Sequence, residues 1–126
     1  MVGIQGVTWN ERLHYASRLF KSQHFRAASR VFADLVAAEP RSLDLRMLLA
    51  CSYYNTAQLT LAEAELRQVL HAAPGHASAH LALARVLERR HRWSESAPHM
   101  RIADSMTARD LLALRHPVDS PPRLAA

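Results

Sequence analysis

The sequence is poor in three residue types that many folds and active sites need: its 126 residues include three glycines, one cysteine and one lysine. So few glycines leave little material for the Gly-rich phosphate loops of doubly wound nucleotide-binding folds. With Cys51 alone, an intrachain disulfide is impossible and CxxC metal sites are excluded, which favours a reducing compartment.

Long apolar runs are missing as well. No stretch of the sequence approaches the roughly 18 apolar residues that a membrane-spanning helix needs. Residues 1–9 lack both the basic start and the apolar core of a secretory signal peptide. We therefore expect a cytoplasmic protein without a membrane span.

Motifs of catalysis and metal binding are also missing. No GxSxG, HExxH, P-loop or paired-carboxylate signature occurs. Cys51 lies between Ala50 and Ser52, with no neighbouring base to activate it, and is interpreted as a plain thiol. His76 and His80, four residues apart, lack a third ligand at a suitable spacing and are interpreted as solvated. We expect no enzyme activity, no cofactor and no metal.

The residues that are abundant favour a folded domain with a positive charge. Apolar residues make up 49% of the chain and charged residues 21%, which is typical of a globular domain. Of the 16 basic residues, all but Lys21 are arginine, and the formal net charge is +5. The arginines have two alternative explanations, codon usage or selection for carboxylate or phosphate contacts. The net charge by itself indicates only weak attraction to acidic partners.

A period of about 34 residues organises the sequence. Residues of similar size recur at that spacing, as in Ala16, Ala50 and Ala84; Tyr15, Leu49 and Leu83; Leu19, Tyr53 and Leu87; Phe25, Leu59 and Trp93; Phe32, Leu66 and Met100; Leu35, Val69 and Ala103; Ala28 and Ala62; Pro40 and Pro74. A fixed period of this length is typical of stacked helical hairpins, since no hairpin buries its apolar face alone. The small residue lets two helices approach closely, and the proline stops the second helix.

In these residues the sequence resembles the tetratricopeptide repeat family, with repeats at about 9–42, 43–76 and 77–106. The resemblance implies an all-α, right-handed α-solenoid of three helix-turn-helix units, forming one domain over 1–116. Helices are predicted at 8–22, 25–38, 42–56, 59–72, 76–90 and 93–105. Repeat three departs from the motif, with Ser96 for the expected Ala and Pro98 inside its second helix. Arg12, Arg46 and His80 occupy a position where the family has a large residue.

A seventh helix is predicted over 107–115, as a cap on the open end of repeat three. Thr107 and Asp110 resemble a capping box, and Leu111, Leu112 and Leu114 supply apolar surface. We expect this helix to pack near Met100, Ala103 and Met106. Residues 117–126 are predicted to be a Pro-rich tail.

The resemblance also implies a binding surface, because the first helices of such repeats line an inner groove. The corresponding positions here are Leu13, His14, Ser17, Phe20, Met47, Leu48, Cys51, Tyr54, Leu81, Ala82, Arg85 and Glu88. This set is mostly apolar, and an exposed apolar strip usually marks an interface. An alternative is that the seventh helix or the tail fills the groove. One subfamily binds chaperone C-termini through a carboxylate clamp, but only Arg85 and Asn10 would suit it, which argues against that function.

Three functions follow as hypotheses. The main one is an adaptor or chaperone-like module that binds an apolar peptide or amphipathic helix of another polypeptide in the groove. The second is an Arg-driven binder of an acidic protein segment or, less favoured, nucleic acid, through a basic patch of Arg85, Arg89 and Arg92. That patch has a plainer interpretation as a solvated helix face neutralised by Glu88 and Glu95. The third is a structural homodimer.

Overall fold

The computed structural model describes residues 8–115, with side chains over 8–106, and forms six helices in that part of the chain, with no strand. They are α1 (Trp9–Lys21), α2 (Phe25–Ala38), α3 (Leu43–Asn55), α4 (Leu59–Ala72), α5 (Ala77–Arg89) and α6 (Trp93–Arg115). Contacts divide the chain into two compact units, Met1–Pro74 and Gly75–Ala126. In the first unit α1 packs on α2, α2 on α3 and α3 on α4; in the second, α5 packs on α6.

Each hairpin turns in the same way. The second residue after the first helix adopts a left-handed conformation, with φ of 65° at Gln23, 61° at Ala57 and 62° at His91. These positions recur once in each repeat. At each of these turns, the amide of the residue that follows the left-handed one donates to the carbonyl of the third-last residue of the first helix. An example is Gln58 N to Tyr53 O, at 2.8 Å. The paired backbone bonds form a Schellman motif, which satisfies carbonyls at the helix end and reverses the chain.

Side-chain caps set the beginning of each first helix. Thr8 and Glu11 form a reciprocal capping box at α1, with bonds of 2.8 and 3.1 Å between each side chain and the other residue's amide. Ser42 caps α3, as predicted, by accepting from Leu45 N at 3.3 Å. His76 caps α5 through its Nδ1, which accepts from Ala79 N at 3.1 Å. His76 is therefore a structural cap.

The small residues of the period lie where the helices cross. Ala16, Ala50 and Ala84 are all buried, as the register predicts, and so are Ala28 and Ala62. In the first unit Ala16 and Ala28 join a core that links α1, α2 and α3, together with Phe32, Leu35, Val36, Leu45 and Leu49. The side chains of this core come from consecutive helices, as expected when stacked hairpins share one apolar interior.

In the second unit a polar group replaces one of these alanines. Ser96, at the position of Ala28 and Ala62, is buried, and its Oγ donates to the carbonyl of Ala84 at 3.0 Å. The hydroxyl is therefore satisfied without disturbing the close approach of α5 and α6. The other buried apolar residues described in this unit are Ala79, Leu83, Val86, Leu87 and Ala103.

The prediction of a separate capping helix over 107–115 was wrong. These residues continue α6, which runs without a break from Trp93 to Arg115 and contains Pro98. Between Pro98 and Arg115 the sequence has neither glycine nor proline, so nothing stops the helix at Met106. Because residues 107–115 extend α6, they do not form the second, separate helix that the capping prediction required. The predicted tail, 117–126, lies outside the described residues.

Candidate interaction site

Helix α3 is apolar around most of its circumference, which distinguishes it from the other helices of the first unit. One side, with Leu45, Leu49 and Ala50, is buried. Another side carries the four residues predicted for the groove, Met47, Leu48, Cys51 and Tyr54, which follow one face at helical spacing and are half-buried. These four residues form an apolar strip that stays partly exposed, and an exposed apolar strip usually marks an interface.

Helix α1 places its predicted groove residues less uniformly. Leu13, Ser17 and Phe20 are half-buried, whereas His14 is exposed. Phe20 is held by two edge-to-face contacts, to Phe25 at 5.2 Å and to Phe32 at 6.3 Å between ring centroids. Such contacts fix an aromatic side chain in one orientation.

Three of the predicted groove residues also serve the interior. Leu13, Phe20 and Leu48 pack against the core of the first unit while keeping part of their surface exposed. Met47, Cys51 and Tyr54 are not members of that cluster. Among the predicted groove residues of the first unit, the half-buried apolar ones outside that cluster therefore lie on α3.

The environment of Cys51 is apolar enough to disfavour a charge. Burial raises the pKa of the Cys51 thiol, because the thiolate loses hydration there. Burial, and to a smaller extent the negative charge of Glu65, also raises the pKa of the Tyr53 hydroxyl. Cys51 is therefore a neutral thiol near pH 7, which is the opposite of an activated nucleophile.

The remaining predicted groove residues lie on α5, in the second unit. Leu81 is 40% exposed and Ala82 is half-buried. Arg85 and Glu88 form an exposed ion pair at 3.2 Å. This helix therefore presents one exposed leucine beside a charged pair, a more polar surface than that of α3.

The predicted basic patch contains its own counter-charges. Arg92 makes a two-pronged contact with Glu95, with N–O distances of 2.7 and 2.9 Å, and Arg85 is paired with Glu88. Arg89 is exposed on the same helix as Arg85. These pairings are the ones that the solvated-face interpretation requires, and they reduce the positive field that an acidic partner would meet.

The interpretation of His80 as a solvated side chain was wrong. His80 is buried, and its Nδ1 lies 2.9 Å from the Nδ1 of His99 on α6. Over the described part of the chain, no three His, Cys, Asp or Glu side chains come together as a metal site requires.

Sequence reasoning missed the partners of the polar residues that replace the family's large residue. Arg12 pairs with Asp34 at 3.0 Å and Arg46 with Glu65 at 2.8 Å, while His80 meets His99. The signal was present in the period, because Glu65 lies one repeat before His99, just as Arg46 lies one repeat before His80. A polar residue at one position is matched by a polar partner across the hairpin.

The stacked helical hairpins are those of a helical-repeat protein, and comparison with known proteins agrees. The model of the tetratricopeptide repeat family matches residues 19–86, more than half of the chain. The chain belongs to the tetratricopeptide repeat family. It is thus a protein-interaction module of a class that is generally non-catalytic. No curated protein sequence matches the chain significantly, and none of the described helices is long and apolar enough to cross a membrane.

Solved structures of MamA share the fold. A single-residue mutant of MamA is 20% identical, with a TM-score of 0.73, and the match covers 77% of this chain and 71% of that one. MamA MSR-1 is 18% identical, with a TM-score of 0.76 and coverages of 82% and 59%. MamA from Desulfovibrio magneticus RS-1 is 19% identical, with a TM-score of 0.73 and coverages of 81% and 58%. The chain spans less than two thirds of the last two, and at these identities the likeness concerns the fold.

Proposed function

We propose that this chain is an adaptor or chaperone-like module that holds an apolar peptide or an amphipathic helix of another polypeptide. The binding surface is the apolar face, defined as Met47, Leu48, Cys51 and Tyr54 of α3 with Leu13, Ser17 and Phe20 of α1. The single observation that supports it best is the half-buried apolar side of α3, where Met47, Leu48, Cys51 and Tyr54 each keep part of their surface exposed.

The energetics suit a transient complex. Full burial of a Leu, Met or Phe side chain contributes about 1.5–3 kcal/mol. The side chains of the apolar face are already half-buried, so each contributes less than that on binding. A few such anchors reach about micromolar affinity once association costs are subtracted. Leu13, Phe20 and Leu48 are held by the core before binding, so little ordering entropy is lost at those positions.

The Arg-driven alternative is less well supported at the predicted patch, because Arg85 and Arg92 already have carboxylate partners. The homodimer alternative predicts a different readout, a change of mass with concentration. Light scattering of the purified chain therefore separates self-association from binding of another polypeptide.

The decisive experiment charges the apolar face without disturbing the core. Leu48 is a poor choice, since it packs against the core cluster, but Met47 is not part of that cluster. The tagged chain and its Met47→Glu variant are used to capture proteins from the native cell, followed by mass spectrometry. Leu61→Glu is the matched control, because Leu61 is a 47% exposed leucine on α4 of the same unit.

We expect Met47→Glu to lose the captured polypeptide and Leu61→Glu to keep it, with unchanged helicity by circular dichroism in both. Retention by Met47→Glu, or equal loss from both variants, would show that the apolar face is not the binding surface. The captured segment is then synthesised as a peptide, and its affinity should change little with salt, since apolar contacts are not screened.

A further inference from the structure

A second concave site, with a lining different from the apolar face, lies at the turn end of the first hairpin. Its volume is about 490 Å³. The α1–α2 turn, the start of α2 and the end of α3 bring its lining together: Gln23, His24, Phe25, Arg26, Ala27, Arg30, Asn55 and Thr56. All of these residues belong to the first unit. We call this site the basic pocket.

The charge of the basic pocket is not balanced by acidic residues. Arg26 and Arg30 are one helical turn apart and both are exposed. No carboxylate lines the pocket, and among residues 8–106 neither arginine forms an ion pair. Ion pairs involve other arginines of the chain, namely Arg12, Arg46, Arg67, Arg85 and Arg92. Two like charges at this spacing repel each other unless an anion lies between them.

The two helix ends at the pocket carry dipoles of opposite sign, positive at the start of α2 and negative at the end of α3. The carbonyls at the end of α3 are occupied, since Asn55 Nδ2 donates to Cys51 O at 2.8 Å and Thr56 Oγ1 to Ser52 O at 3.0 Å. Helix α2 has no acidic residue in its first turn and no side-chain cap from His24. The positive end of the α2 dipole therefore adds to the two guanidinium groups.

The repeat itself does not require these arginines. The positions one repeat after Arg26 and Arg30 are Thr60 and Ala64, and the next pair is Ser94 and Pro98. The fold is thus built in repeats two and three without a charge at either position. Arg26 and Arg30 belong to repeat one alone, and the packing of the hairpin gives no reason for them.

We propose that the basic pocket binds the carboxylates of an acidic polypeptide segment. Guanidinium groups present paired N–H donors that match a carboxylate, and a volume of about 490 Å³ accommodates one or two acidic side chains. The ligand is a polypeptide, since the chain belongs to a family of protein-interaction modules. The two charges are confined to one concavity and do not form the basic stripe that tracks a nucleic-acid backbone.

The basic pocket shares no residue with the apolar face, so the two proposals stand or fall separately. A partner that uses both would present an apolar anchor and an acidic stretch. Binding at the basic pocket alone would be weaker than at the apolar face, and screened by salt.

The test measures fluorescence anisotropy of a labelled oligoglutamate peptide on the full chain at low salt. The variant is Arg26→Gln with Arg30→Gln. The control is Arg41→Gln with Arg101→Gln, which removes the same two charges from exposed positions that do not line the pocket. We expect about a tenfold loss of affinity for the pocket variant, or about 1.4 kcal/mol. The control should lose less than about threefold.

Three outcomes overturn the proposal. One is equal loss in both double variants, which would mean that only net charge attracts the peptide. Another is the absence of salt-dependent binding by the wild type. The third is tighter binding of a single-stranded oligonucleotide of the same charge, lost equally in the pocket variant, which would assign the pocket to nucleic acid. Circular dichroism and thermal melts of each variant separate these results from unfolding.

Discussion

His80 and His99 point their Nδ1 atoms at each other across the second unit's hairpin, 2.9 Å apart. The ring centroids are 5.2 Å apart and the rings are inclined by 28°. That separation is reached only when both Nδ1 atoms lie close to the line that joins the ring centres. The lone pair of one ring is therefore aimed at the nitrogen of the other, so a single proton between them forms a hydrogen bond. No space is left between them for a metal ion.

The His80–His99 pair occupies the positions of the Arg46–Glu65 ion pair one repeat earlier. We predict that His80→Arg with His99→Glu folds with a free energy of unfolding within about 1 kcal/mol of the wild type, because one polar pair replaces another. His80→Arg alone, at neutral pH, should lose about 1–3 kcal/mol, since the partly buried guanidinium then lacks a carboxylate. Urea unfolding of His80→Arg, His99→Glu and the double variant, compared with the wild type, gives a double-mutant cycle. A single variant as stable as the double one would contradict the equivalence of the two positions.

The sequence predicts the hairpins well because their determinants are local and repeated. The predicted bounds of α2 and α4 agree with the structure at both ends, and those of α1, α3 and α5 differ by one residue at each end. Small residues such as Ala16 and Ala84 mark helix crossings, and a fixed spacing locates them without knowledge of tertiary structure. Ser42 signals its helix start through a side chain that bonds only three residues ahead.

What the sequence did not reveal depends on pairing across helices. The burial of His80 follows from the presence of His99 on the opposite helix, and in the sequence only the alignment of this pair with Arg46 and Glu65 one repeat earlier indicates it. Likewise, Leu48 is both a predicted binding residue and a core contact, which only packing can show. The continuation of α6 past Met106 was missed because Thr107 has the residue type of a helix cap, yet nothing before it ends the helix.

The left-handed turn residues offer a stabilising substitution. Ala57 has φ of 61° and is exposed, and an L-residue other than glycine pays about 1–2 kcal/mol for that conformation. Ala57→Gly removes this strain but increases the entropy of the unfolded chain by about 0.4–1 kcal/mol. We predict a net gain of about 0.5–1 kcal/mol, visible as a higher thermal midpoint. The control, Ala64→Gly in the exposed middle of α4, should lose about 1 kcal/mol.

The small-residue register can be tested by overpacking. Ala50 is buried at a helix crossing, so Ala50→Leu forces the neighbouring helices apart and should cost about 1–3 kcal/mol. Ala64→Leu adds the same side chain at an exposed position of α4 and should be nearly neutral. Thermal melts compare the two. An unchanged midpoint for Ala50→Leu would mean that the assigned register is incorrect.

The only cysteine makes the apolar face accessible to chemical measurement. Because burial raises the pKa of the Cys51 thiol, the thiolate that reacts with disulfide reagents is scarce near pH 8. We predict that a chromogenic aromatic disulfide reacts with the folded chain about tenfold more slowly than with the urea-unfolded chain. A folded chain that reacts as fast as the unfolded one would place Cys51 in an open, polar setting and would contradict the half-buried apolar face.

The raised pKa of the Cys51 thiol also makes the stability of the fold depend on pH. The folded state holds the thiol proton more tightly than the unfolded state does, so Cys51 contributes stability that is present below the unfolded pKa. That contribution is lost as the pH rises through the folded pKa. Above about pH 8.5, the ordinary range of a thiol, the wild type should lose more stability than Cys51→Ala does, as measured by urea unfolding at several pH values.

Because Cys51 also belongs to the proposed binding face, a bound partner peptide should slow its labelling further, and a bulky label attached there should block binding. Labelling at an unchanged rate with the peptide bound would place the peptide elsewhere on the chain.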